Sequence, residues 1–207
     1  MSMKEIASSL LKVKAVIVRR DPPFVWTSGI KAPIYTDNRI LISYPEYRKQ
    51  VVDSFLELIA EKDIEFDVIA GTATAGIPWA AWLADRLNVP MIYVRSEKKG
   101  HGKENLIEGK LEKGKQVLIV EDLISTGGSS IRTAESLIEA GASVEDVISI
   151  FTYELPDAKK NFKQAKLKLN SLTNFSELID IAFENRYITK DDKISILKWS
   201  QNPSEWD

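Results

Sequence analysis

Apolar positions follow two spacings along this chain, and their alternation predicts an architecture. Ile6, Leu10, Leu11 and Val13 share a helical face, which predicts a short amphipathic helix near the start. Over 21–39 (DPPFVWTSGIKAPIYTDNR) prolines and Gly29 interrupt the apolar residues, predicting short extended pieces with Phe24, Trp26 and Tyr35 as a small satellite core. Val51, Val52, Phe55, Leu58 and Ile59 line one side of a helix predicted over 43–62, started by Ser43 and Pro45 and placed to cover a sheet. A strand at 66–70 leads to a helix at 77–87, and another strand follows at 90–95. The β-branched run at 117–120 predicts a buried strand ending in two acids, before a helix at 130–140 that stops at Gly141. Further strands are predicted at 147–151 and, on the outside, 166–172. Helices follow at 176–187 and 190–199, the latter opened by Thr189 with Asp192 three residues on.

Strands alternating with helices imply an α/β fold, with a mainly parallel twisted sheet, right-handed crossovers and ligands at the carboxyl edge of the strands. A length of 207 residues suits one domain with a sizeable core. The formal charge of -2 and a pI near 5.7 argue against a protein built to coat nucleic acid or an anionic membrane. With no cysteine, disulfides, thiol catalysis and cysteine-ligated zinc are excluded. No apolar run reaches bilayer length and the first residues lack a long signal-peptide core, so a cytoplasmic protein is expected.

The candidate chemistry centres on residues 117–130, VLIVEDLISTGGSS. Backbone N–H groups of a Ser/Thr/Gly turn between a strand's end and a helix's start can converge on phosphate oxygens, and Gly127 and Gly128 keep side chains out of the way. A second small-residue loop, GTATAGIP, starts at Gly71 and includes Thr72, Thr74 and Gly76. It reads either as another anion-binding loop or as close strand–helix packing. Between the two lies RSEKKGHGKENLIEG, in which Arg95, Lys98, Lys99, His101 and Lys103 sit among glycines. In an acidic protein this cationic stretch, holding the only histidine, reads as a lid for a highly anionic substrate. Lys31 and Arg39 are further cations available to an anion.

An apolar strand, two acids and a Thr/Gly-rich loop together resemble the 5-phosphoribosyl-1-pyrophosphate (PRPP) signature of type I phosphoribosyltransferases. Adding GTATAGIP, the lid and FVWTSGIKAPIYTDNR extends the resemblance over nearly the whole chain, to the orotate phosphoribosyltransferases in the form common in Gram-positive bacteria. The resemblance implies transfer of a phosphoribosyl group from PRPP to orotate, giving orotidine 5'-monophosphate and pyrophosphate in pyrimidine biosynthesis. It further implies Mg²⁺, bound mainly through PRPP with no dedicated protein site, and a homodimer whose lid reaches into the neighbouring site. A single domain over 1–207 is implied, with a hood over about 1–40 plus the C-terminal segment, a core over about 41–175 and a flexible lid over about 96–109.

The same resemblance implies residue roles. Ser125, Thr126, Gly127, Gly128 and Ser129 would hold the 5'-phosphate, with Leu123 and Ile124 leading into them, and Glu121 and Asp122 the ribose hydroxyls. Arg95, Lys99 and His101 would bind the pyrophosphate end, with Lys99, His101, Lys103 and Asp122 as the catalytic set. Ser125, Lys31 and Tyr35 would contact orotate, in a hood that also includes Ser28 and Asp37. Enterobacterial-type members have lysines where this chain has Thr27, Ala75 and Ser96, and an arginine after the late strand, where this chain reads FTYELPDA. Lys98, Lys103 and Lys31 are the candidate replacements. Transfer to a different base, and a PRPP-sensing regulator without turnover, are the competing readings.

Overall fold

The computed structural model describes residues 2–26, 29–96 and 106–206. In chain order the elements are α1 (Met3–Lys12), β1 (Val16–Val18), β2 (Phe24–Val25), β3 (Lys31–Ala32), β4 (Ile34–Thr36), α2 (Pro45–Glu61), β5 (Val68–Thr72) and α3 (Gly76–Leu87). Then come β6 (Met91–Val94), β7 (Ile107–Glu108), β8 (Val117–Ile124), α4 (Gly128–Glu139), β9 (Asp146–Thr152), α5 (Pro156–Ala165), β10 (Lys168–Asn174), α6 (Phe175–Glu184) and α7 (Lys190–Trp199). The main sheet runs β10-β9-β8-β5-β6-β7, parallel except for the antiparallel edge strand β7. Two antiparallel ribbons, β1 with β4 and β2 with β3, stand apart from it.

Side chains along the central strands alternate between two cores, as a period of two requires. Ile69, Leu118, Val120 and Ile148 face one core with α1, α2, α3, α6 and α7. Val68, Ala70, Ile119 and Val147 face the other with α4 and α5. The chain thus covers both sheet faces, which is why β5 and β9 are buried along their whole length instead of on alternate residues.

Several predicted boundaries move for identifiable reasons. Ser43 does not start α2: it ends a 3₁₀ turn, Asn38–Ser43, and α2 begins at Pro45 after Tyr44, whose side chain makes no cap. β8 does not end at its acids but continues through Glu121 and Asp122 to Ile124, because β9 pairs with it that far. The segment Pro156–Ala165, for which no element was predicted, is α5; its only buried side chains are Ala158 and Phe162, one turn apart, among lysines. β10 starts two residues later than predicted because Lys166 takes a left-handed conformation (φ 57°) that closes α5. α6 begins at Phe175 under a hydrogen bond from Glu177 N–H to the Asn174 side chain. The Thr189/Asp192 capping box opens α7 as expected.

The predicted satellite core splits in two. Phe24 and Tyr35 pair at 5.7 Å near the surface, while Trp26 packs against Tyr153 (5.1 Å) and edge-on to Trp199 (5.3 Å) in the main core. Trp199 is fully buried, and its indole N–H donates to the Lys31 carbonyl at 3.0 Å. Trp26 donates to the Ile34 carbonyl at 3.2 Å. Two tryptophans therefore fasten the N-terminal ribbons to the C-terminal helix and to the end of β9.

Candidate active site

The two predicted loops meet at the carboxyl edge of the sheet because β5 and β8 are neighbours. Between β8 and α4 the turn 125–127 ends at Gly127, whose φ of +82° favours glycine. A Cβ there would stand 2.5 Å from Phe162 of α5. Asn161, also on α5, donates to the Thr126 carbonyl at 3.0 Å. The helix that sequence patterning missed therefore buttresses the loop. The N–H groups of residues 126–130 find no acceptor among the described residues, as expected at the start of α4.

Glu121 and Asp122 are adjacent on β8 but differ in environment. Glu121 is 5 % exposed; its carboxylate accepts from Asp122 N–H (3.1 Å), Ser129 Oγ (3.1 Å) and Ser130 Oγ (3.4 Å). Burial, and then the charge of Asp122, push its pKa up to about 8. Asp122 is half-buried and also raised by burial. Its carbonyl accepts from Asn38 Nδ2 at 2.8 Å, and Asn38 is fully buried. Asn38 thus ties the 3₁₀ turn after β4 to the acidic pair. Sequence reasoning did not single it out, although it sits inside the quoted TDNR. The side chains of Leu123 and Ile124 pack in the two cores, so at the loop only their main chain is available.

Around the second loop, Thr72 is 4 % exposed and its Oγ1 has no hydrogen-bond partner. Gly76 settles into close packing, since a Cβ there would run into the Val120 carbonyl oxygen. The packing reading therefore accounts for this glycine, while the Thr72 hydroxyl is left to another purpose. Arg95 N–H bonds the Leu106 carbonyl at 2.9 Å, and its guanidinium faces Glu108 at 3.6 Å. The two ends of the cationic stretch are thereby clamped together. Lys98, Lys99, His101 and Lys103 lie outside the described residues, as do Thr27 and Ser28.

The remaining predicted residues lie on the ribbons. Lys31 on β3 and Tyr35 on β4 are exposed. Arg39 is engaged by Asp37 through two hydrogen bonds of 2.6 and 2.8 Å, which hold the Asp37 carboxyl below its usual range. Tyr153, just past β9, is pushed up to about 12, chiefly by burial, and the charges of Asp122 and Tyr35 act in the same direction.

A buried strand carrying paired acids into a hydroxyl- and glycine-rich helix start, beside a second such loop, defines a phosphoribosyltransferase. The family described as Phosphoribosyl transferase domain matches residues 44–184. Orotate phosphoribosyltransferase of Coxiella burnetii is 50% identical over 202 residues, covering 98% of this chain and 97% of that protein. The Listeria innocua enzyme of the same name is 50% identical over 203 residues, with the same coverage. The structure of orotate phosphoribosyltransferase from Aeropyrum pernix superposes with a TM-score of 0.77 at 30% identity, covering 89% of this chain and 99% of that one. The chain belongs to the orotate phosphoribosyltransferase family.

Proposed function

We infer that this protein transfers the 5-phosphoribosyl group of PRPP to orotate, releasing pyrophosphate and forming orotidine 5'-monophosphate for pyrimidine synthesis. The observation that carries the reading is the edge where β8 delivers Glu121 and Asp122 beside the free N–H groups of residues 126–130. In this reading Ser125, Thr126, Gly127, Gly128 and Ser129 hold the 5'-phosphate, and the acids hold the ribose hydroxyls. The bond from the anomeric carbon to a pyrophosphate oxygen breaks as a bond to a ring nitrogen of orotate forms, through a transition state with positive charge on the ribose.

Negative charge grows on the leaving group, and Arg95, Lys99, His101 and Lys103 are placed in sequence to meet it. Asp122 lies near the developing positive charge. The N-terminal ribbons and α7 form the hood, with Lys31, Tyr35 and Ser125 toward the base and the stretch over about 96–109 as the lid that keeps water from PRPP. Among the described residues no three His, Cys, Asp or Glu side chains form a metal cage. One acidic pair with substrate phosphates fits Mg²⁺ brought in by PRPP, and the ion supplies charge neutralisation of the diphosphate when bound. No helix among the described residues is long and apolar enough to cross a membrane. We assign the protein as a cytoplasmic homodimer sharing lids between sites.

The test is loss of orotate absorbance on mixing protein, orotate, PRPP and Mg²⁺, with uracil, hypoxanthine and adenine as competing bases. Loss that needs both substrates and falls strongly in Lys99→Ala, with the melting temperature unchanged, is expected. Turnover of another base instead, or near-normal turnover by Lys99→Ala, overturns the substrate or the lid assignment respectively.

A further inference from the structure

Ala75 and Ser96 remove two positive charges from the pyrophosphate end of the site as the resemblance would have it, and the described residues offer a replacement from an unexpected element. Arg132 lies one turn into α4. Helical side chains lean toward the N-terminus, and the Arg132 guanidinium accordingly folds back over the phosphate loop, its Nη1 3.2 Å from where a Gly128 Cβ would stand. It is exposed and makes no side-chain hydrogen bond or ion pair among the described residues.

Beside it a cavity of ≈ 70 Å³ opens between α4 and the ends of β5 and β6, lined by Thr72, Arg95, Ser96, Ser129 and Arg132. That is several times the roughly 10–15 Å³ that one water needs. Two buried polar atoms of its lining residues make no hydrogen bond: Thr72 Oγ1, and Arg95 Nη1, which has only the 3.6 Å ion pair with Glu108. A buried hydroxyl left without a partner costs stability unless a ligand completes it, and a guanidinium held only at 3.6 Å retains a donor for a nearer anion. An oxyanion held in this cavity by Arg95 and Arg132 would give the Thr72 hydroxyl an acceptor.

We propose that Arg132 is a binding residue for the pyrophosphate group of PRPP, acting with Arg95 in the cavity that both line. The assignment rests on the function inferred above and adds to it the cation that Ala75 and Ser96 do not supply.

The experiment uses the full chain and three variants: Arg132→Gln, Arg132→Lys and, on neighbouring α5, the exposed Lys163→Gln. Initial rates are measured with PRPP and orotate varied separately, and inorganic pyrophosphate with Mg²⁺ is titrated calorimetrically. Arg132→Gln is expected to raise KM for PRPP and weaken pyrophosphate binding by about tenfold each, the size of one lost charge-assisted contact. KM for orotate and the melting temperature should hold. Arg132→Lys should recover part of the loss, and Lys163→Gln should stay within about twofold of the parent. Unchanged PRPP and pyrophosphate affinity in Arg132→Gln, or an equal loss in Lys163→Gln, overturns the proposal. Failure of the parent protein to consume orotate would instead count against the inferred function, and the pyrophosphate titrations would still judge Arg132.

Discussion

Replacing Glu121 with glutamine is expected to change how stability depends on pH. The carboxylate is 5 % exposed, and burial followed by the charge of Asp122 moves its pKa from an ordinary 4.5 to about 8. Below the ordinary value both folded and unfolded chains hold the proton. Between the two values the folded chain keeps a proton that the unfolded chain has released, so stability falls as pH rises and levels off above about 8. At about 1.4 kcal/mol per pH unit the interval sets a ceiling of roughly 5 kcal/mol. Asp122 is raised as well and titrates jointly with Glu121, so about half of that, roughly 2–3 kcal/mol, is expected from Glu121.

Glutamine keeps the local hydrogen bonds: its carbonyl can accept from Asp122 N–H, and its amide can donate to the Ser129 and Ser130 hydroxyls, which rotate. Urea unfolding of ligand-free protein, followed by circular dichroism at pH 5, 6.5 and 8.5, reads the difference. The variant should match the parent at pH 5 within about 1 kcal/mol and exceed it at pH 8.5 by about 2–3 kcal/mol. In thermal melts this corresponds to roughly 5–10 °C for a chain of this size. Parallel stability curves for parent and variant would sink the argument, because they would mean Glu121 ionises in the folded protein as easily as in the unfolded one.

Two further expectations concern the scaffold. Trp199→Ala removes a fully buried side chain and strands the Lys31 carbonyl, so it should cost about 3–5 kcal/mol in urea unfolding. Trp199→Phe should cost less than half as much, and equal losses would mean that packing at this site is unimportant. Gly76→Ala forces a methyl into the Val120 carbonyl and should destabilise by about 1–3 kcal/mol or more, read as a lowered melting temperature. An unchanged melting temperature would show that α3 can withdraw from β8 freely.

Local pattern determined much of this protein. The alternation of elements, the strand-to-loop-to-helix run through Glu121 and Gly128, and the Thr189/Asp192 start of α7 were legible because each depends on neighbours within a turn or a strand. α5 was not legible: a short helix with only two buried side chains among lysines carries little periodic signal, yet it props the phosphate loop through Phe162 and Asn161. The acids were recognised as a pair, but their unequal burial follows from β9 extending alongside β8 and from α4 turning two serines onto Glu121. Asn38 meets Asp122 across 84 residues and Trp199 meets Lys31 across 168. Such contacts are set by sheet order and by which helix covers which face. Residue spacing along the chain records which side chains share a face; only the folded arrangement decides what that face meets.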